Sequence, residues 1–188
     1  LRTERKKIPV LLVSEYRPQK KGKKETLQFK KFKEIVNITR IFCEKKKLVP
    51  HVALCSSRDD KKIYNIFDEE ILFFRKYLGK FNFEKRSSYK LSNKSKLIIN
   101  LSSNLGIELL ARGLKTVLVN LIGKIDKKQI YPYYPIKKTF FILNYPQNKI
   151  IKNLNTIYNM KQKTWKKKIN KFDHINFDNK NKKFKNLI

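Results

Sequence analysis

A chain of 188 residues with 40% hydrophobic and 12% aromatic content can bury one substantial core. Its longest apolar runs, such as Pro9 to Val13 and Ile71 to Phe74, fall far short of the roughly 18 residues of a membrane span, and no signal peptide or lipidation signal is visible. The formal net charge of +31 points first to nucleic acid, yet the lysines greatly outnumber the arginines, run from Lys6 to Lys185 and concentrate on no single element.

Ile8 to Ser14 reads as a buried strand that opens into a loop at Glu15, Tyr16, Arg17 and Pro18 and continues through the Lys-Gly-Lys cluster at 20–24. From Thr26 the spacing of Phe29, Phe32, Ile35, Val36, Ile38, Thr39 and Phe42 predicts a helix ending before Pro50. His51 to Cys55 is a second strand. Asp68 to Leu78 is a second amphipathic helix, with Asp68, Glu69 and Glu70 in its first turn and Gly79 closing it. Phe81 to Glu84 is a short strand, Ser88 to Lys94 a short helix, and Leu97 to Leu101 a fourth strand. Asn104 to Arg112 and Thr116 to Asn120 follow as helix and strand.

Beyond Asn120 a Tyr/Pro stretch at 131–135 suits neither helix nor central strand. Pro146 to about Lys171 recovers helical spacing, and the Asn/Lys-rich end carries Phe172, Phe177 and Phe184. The expected organisation is an α/β domain at 1–145, a Rossmann-like parallel sheet with helices on both faces. A C-terminal helix at 146–171 packs on it, and a basic tail occupies 172–188. Cys43 and Cys55 lack metal spacing and read as buried apolar fillers in a reduced compartment.

The segment Leu97 to Asn120 carries the chemistry. Its order of strand, polar turn, helix and strand sets Ser102, Ser103, Asn104 and Gly106 where a helix amino terminus presents unpaired N–H groups to an anion. Serine is also a favoured helix cap whatever the function, and the two roles are compatible. Gly106 would let a ligand approach the first turn closely. A glutamate three residues after a Ser or Thr cap is ordinarily a capping-box partner, but three residues before Glu108 stands Leu105, which cannot cap. Glu108 is therefore either a ligand contact or a surface glutamate.

Arg17, Arg58 and Arg86 each fall just past the carboxyl end of a predicted strand, where open parallel sheets bind ligands. Guanidinium forks there can grip a diphosphate or a sugar carboxylate, which lysine cannot reproduce. His51 and His174 are not placed like general bases, and no carboxylate pair, Walker loop or nucleophile elbow is present.

The stretch Leu97 to Asn120, with Arg86 to Ile99 before it and Tyr134 to Phe141 after it, resembles the nucleotide-sugar half-site of GT-B type glycosyltransferases. It is most similar to bacterial surface-carbohydrate and O-antigen biosynthesis proteins. The resemblance takes in most of residues 8–188 and implies the donor-binding half of a two-domain enzyme whose amino-terminal half lies outside this sequence. It implies Glu108 on the ribose and the catalytic base on the other half; the turn at Ser102, Ser103, Asn104 and Gly106 and the three strand-end arginines, Arg17, Arg58 and Arg86, would then hold the donor phosphates. A nucleotide-sugar is then the substrate, a glycan or lipid-linked molecule the acceptor, and neither cofactor nor metal is required. The implied place is the cytoplasm or the inner face of the cytoplasmic membrane. A stand-alone domain, a nucleotide-sugar epimerase and a basic nucleic-acid-binding protein stay open as alternatives, and an anionic membrane surface is a further candidate partner.

Overall fold

The computed structural model describes residues 8–18, 24–55, 64–83, 88–101, 103–119 and 146–169. Eleven elements follow in chain order: β1 (Ile8–Val13), α1 (Leu27–Lys45), β2 (His51–Ala53), α2 (Tyr64–Tyr77), β3 (Asn82–Phe83), α3 (Ser88–Asn93), β4 (Ser95–Asn100), α4 (Asn104–Ala111), β5 (Thr116–Leu118), α5 (Gln147–Asn159) and α6 (Gln162–Ile169). The predicted Tyr/Pro stretch, most of the 20–24 cluster and the tail lie outside the described residues.

All five strands pair in parallel in the order β3-β2-β1-β4-β5. This is the expected Rossmann-like α/β sheet. Its central strands are apolar because helices cover both faces. On one side Val10, Leu12, Leu97 and Ile99 meet Phe32, Ile35 and Val36 of α1, Phe73 and Phe74 of α2, and Ile150, Leu154 and Trp165 of α5 and α6. On the other, Leu11, Val13 and Ile98 meet Leu91 of α3 and Leu109 of α4. Each such side chain, fully buried, adds about 1.5–3 kcal/mol of hydrophobic stabilisation.

Local signals set most boundaries. Thr26 caps α1 by accepting the Phe29 N–H at 3.2 Å. Gly79, at φ 78°, turns the chain out of α2 in a left-handed conformation that side chains resist.

Three expectations need correction. Helix α2 begins at Tyr64, so Asp68, Glu69 and Glu70 lie beyond its first turn. Strand β2 ends at Ala53, which leaves Cys55 exposed rather than buried; Cys43 is buried as expected. The single C-terminal helix is two helices, because Met160 adopts extended backbone (φ −61°, ψ 136°) and its carbonyl accepts the Lys115 ammonium. The break turns α6 so that Trp165 reaches the core and its indole N–H donates to the Leu114 carbonyl at 3.1 Å.

Candidate functional site

In an all-parallel sheet every carboxyl end lies on one edge, and the strand order of this one reverses between β1 and β4. Crevices at such reversals are where open α/β sheets take ligands. The loops after β1 and β4 meet here. Glu15, two residues past β1, accepts the Ser103 backbone N–H at 2.9 Å.

Ser103 is the cap of α4. Its backbone is extended (φ −66°, ψ 138°), so its Oγ reaches the Leu105 N–H at 3.2 Å. The Ser103 carbonyl accepts the Gly106 N–H at 2.9 Å and the Asn100 side-chain amide at 3.1 Å. Asn100 ends β4, is fully buried, and its Oδ1 has no hydrogen-bond partner among the described residues. Three N–H groups at the start of α4 are thus held by a carboxylate, a hydroxyl and a carbonyl of the protein itself.

Gly106 answers to packing. A Cβ there would stand 2.2 Å from Asn100 Nδ2 and 2.7 Å from Leu118 Cδ2, so it is the protein's own β4 and β5 that approach too closely for any other residue. Glu108 has a partner that its spacing did not disclose: its carboxylate accepts the Tyr89 hydroxyl of α3. That hydrogen bond, ahead of desolvation, raises the pKa of Tyr89, while Arg112 over the same ring at 5.7 Å works against the rise.

A second carboxylate governs the neighbouring loops. Glu70 is fully buried and accepts both the Ser14 hydroxyl and the Cys55 N–H, the latter at 2.9 Å. It thereby ties the end of β1 to the segment after β2. Ser14 Oγ also accepts the Tyr16 N–H at 3.2 Å. Burial first, then Glu69 and Glu70, push the Tyr16 phenol up to about 12. Around Cys55, desolvation and Glu70 raise the thiol pKa, Arg17 lowers it, and Glu15 adds to the rise. Glu15, Arg17, Cys55 and Glu70 therefore share one electrostatic neighbourhood.

Of the residues expected at the site, Ser103, Gly106 and Glu108 lie on or beside α4, and Arg17 is exposed on the β1 loop. Ser102, Arg58, Arg86 and the side chain of Asn104 lie outside the described residues. Sequence reasoning missed Glu15 and Glu70. For Glu70 a signal existed: it falls on the same helical stripe as Phe67, Ile71, Phe74 and Leu78, all buried.

Over residues 2–188 the sequence matches the family described as "putative O-antigen biosynthesis protein". The chain belongs to that family. No curated protein and no solved structure matches it. The family's description points to O-antigen biosynthesis, and the structure gives this member a Rossmann-like parallel sheet. Among the described residues, no helix is long and apolar enough to cross a membrane, and no group of three or more His, Cys, Asp or Glu side chains is gathered to hold a metal ion.

Proposed function

We propose that this domain binds a nucleotide-sugar and serves as the donor half of a GT-B type glycosyltransferase in O-antigen biosynthesis. The observation that carries the reading is the Glu15 carboxylate on the Ser103 N–H, at the reversal of the strand order. The protein already holds an anion at the amino end of α4, where the helix dipole favours one. The donor diphosphate takes that place, displacing Glu15, with Arg17 at the rim to pair with it.

Glu108 binds the ribose hydroxyls in this reading, and Tyr89 fixes its carboxylate beforehand. Held in that way, the departing nucleoside diphosphate is stabilised by helix amides and guanidinium groups rather than by a metal. The acceptor and the catalytic base belong to a second half of the enzyme, and the domain alone transfers no sugar.

Thermal melts of the protein with a panel of nucleoside diphosphates and with inorganic phosphate test the reading. The expected result is a larger shift for at least one nucleotide than for phosphate. Equal shifts would reduce the site to unspecific anion binding and end the proposal. Separating the products formed from a bound nucleotide-sugar distinguishes epimerisation from transfer once the second half is supplied.

A further inference from the structure

Between residues 146 and 169 the chain has seven lysines and no aspartate or glutamate. All seven are exposed on or between α5 and α6. Helix α1 is different, since three of its cations are matched by carboxylates: Lys31 with Glu34 at 3.0 Å, Lys33 with Glu25 at 2.6 Å and Arg40 with Glu44 at 2.9 Å.

The apolar side of α5 and α6 is committed inward. Ile150, Leu154, Ile157, Trp165 and Ile169 are each at most 3% exposed, and none of the large exposed hydrophobic residues of the described protein lies on these helices. Lys163 and Lys167, four apart, stand on the side of α6 opposite Trp165, with Lys166 beside them. Like charges at that spacing weaken a helix, and no carboxylate on either helix offsets them. The ammonium groups of Lys96 and Lys46 sit over the Tyr158 ring at 3.8 Å and 5.0 Å and extend the cationic surface onto β4 and the end of α1.

Position gives this surface a direction. Gln162 Nε2 donates to the Gly113 carbonyl at 2.8 Å, and the Trp165 indole donates to the Leu114 carbonyl. These contacts fasten α6 to the turn before β5, at the amino-terminal edge of the sheet. Glu15 and Ser103 lie at the carboxyl edge.

We propose that the α5–α6 face docks the protein on an anionic lipid bilayer, by charge and without insertion. Clustered lysine ammoniums on helices that carry no carboxylate of their own complement a surface of lipid phosphates, and the absence of large exposed apolar residues on these helices makes the attachment peripheral and salt-sensitive. RNA fits the face less well, because it carries no arginine fork and its tryptophan is buried, which removes the stacking platform that single strands use. With the amino edge on the bilayer, the carboxyl edge stays open to soluble molecules. The inference rests on charge and burial and holds independently of the donor reading.

The test is co-sedimentation of the full chain with vesicles of phosphatidylcholine alone and with about one-third phosphatidylglycerol. Binding is expected to the anionic vesicles only, with release as NaCl rises from about 0.1 M to about 0.5 M. The triple variant Lys163→Gln, Lys166→Gln, Lys167→Gln should bind at least about tenfold more weakly. It should also unfold at the wild-type temperature or above. A charge-matched variant on the α1–α2 side, Lys24→Gln, Lys30→Gln, Lys76→Gln, should lose less than about threefold. Equal losses in the two variants would show that net charge alone binds, and would overturn the proposal. So would binding to neutral vesicles, or single-stranded RNA binding at the same salt that is tighter than vesicle binding and is lost in the α6 variant.

Discussion

Glu15 and Ser103 are 88 residues apart in the chain, and the carboxylate of the first accepts the backbone N–H of the second at 2.9 Å. The bond closes the gap where the strand order reverses and places a negative charge at the start of α4. Two effects combine in it: a charge-assisted hydrogen bond and the helix dipole.

Glu15→Gln keeps an acceptor and removes the charge. The variant should lose about 0.5–1 kcal/mol of stability in urea unfolding at neutral pH. It should also be stabilised by a nucleoside diphosphate more than the wild type is, because the competing carboxylate is gone. A variant with wild-type ligand response would mean that the donor does not occupy the Glu15 position.

Gly106→Ala tests why α4 approaches the sheet so closely. The added methyl would meet Asn100 Nδ2 at 2.2 Å and Leu118 Cδ2 at 2.7 Å, contacts that must be relieved by shifting either strand or helix. Overpacking of this kind costs about 1–3 kcal/mol, more than the helix propensity gained by replacing glycine. Pairing it with Asn100→Ala should recover part of the loss, since Asn100 supplies the nearest atoms. Full stability of the single variant would show that α4 can ride up on the sheet at no cost.

How far the sequence foretold this arrangement depends on the physical signal each residue carries. Strand β1 and helix α1 were legible because their periodicity reports burial directly: Val10, Leu11 and Leu12 are wholly buried, and so is the Phe32, Ile35, Val36 stripe. The cap at Ser103 and the turn at Gly79 were legible because each residue type answers a local backbone need. Contacts between distant segments leave no such mark. Glu70 reads from sequence as a first-turn acid, because its two donors, the Ser14 hydroxyl and the Cys55 N–H, are brought to it only by the β1–β2 pairing. The break at Met160 depends on Lys115, 45 residues earlier. The match of Glu108 to Tyr89 needed α3 and α4 side by side.

Glu108→Ala separates the structural from the ligand role of that carboxylate. The hydrogen bond from Glu108 is the leading cause of the raised Tyr89 pKa, so the substitution should bring the Tyr89 titration down toward the ordinary tyrosine value. Phenolate absorbance, with Tyr89→Phe to assign the transition, reads this out. Stability should change by less than about 1 kcal/mol, because Tyr89 is exposed and its bond is solvated. Nucleotide affinity should fall by about 1–3 kcal/mol if Glu108 also meets the ribose. Unchanged affinity with a shifted Tyr89 titration would assign Glu108 to the α3–α4 contact alone.

Alkaline stability should report Tyr16. Its phenol is pushed from 10.0 up to about 12 in the folded protein, first by burial and then by Glu69 and Glu70. The folded state keeps the proton where the unfolded chain has released it, so stability falls as pH rises. The Tyr16 contribution is intact below pH 10 and lost on the way to about pH 12. Urea unfolding across that window should show a shallower decline in Tyr16→Phe than in the wild type. Identical slopes would mean that Tyr16 titrates like an exposed tyrosine.

Glu70 carries the heaviest structural demand of any carboxylate in the described protein, because it is fully buried and accepts from a hydroxyl and from a backbone N–H at once. Glu70→Leu would leave the Ser14 hydroxyl and the Cys55 N–H without their acceptor inside the fold, at about 1–3 kcal/mol for each buried group left unsatisfied. Glu70→Gln retains an acceptor oxygen and should cost less than Glu70→Leu, provided that the two donors rather than the charge define the role. The Cys55 thiol gives a second readout. Glu70 raises its pKa, so Glu70→Gln should lower that pKa and speed alkylation by iodoacetamide at mildly alkaline pH, while buried Cys43, its pKa pushed up to about 12, stays unreacted until the protein unfolds. Equal losses of stability in the Gln and Leu variants would assign the role to the charge, and an unchanged rate at Cys55 would remove Glu70 from its electrostatic surroundings.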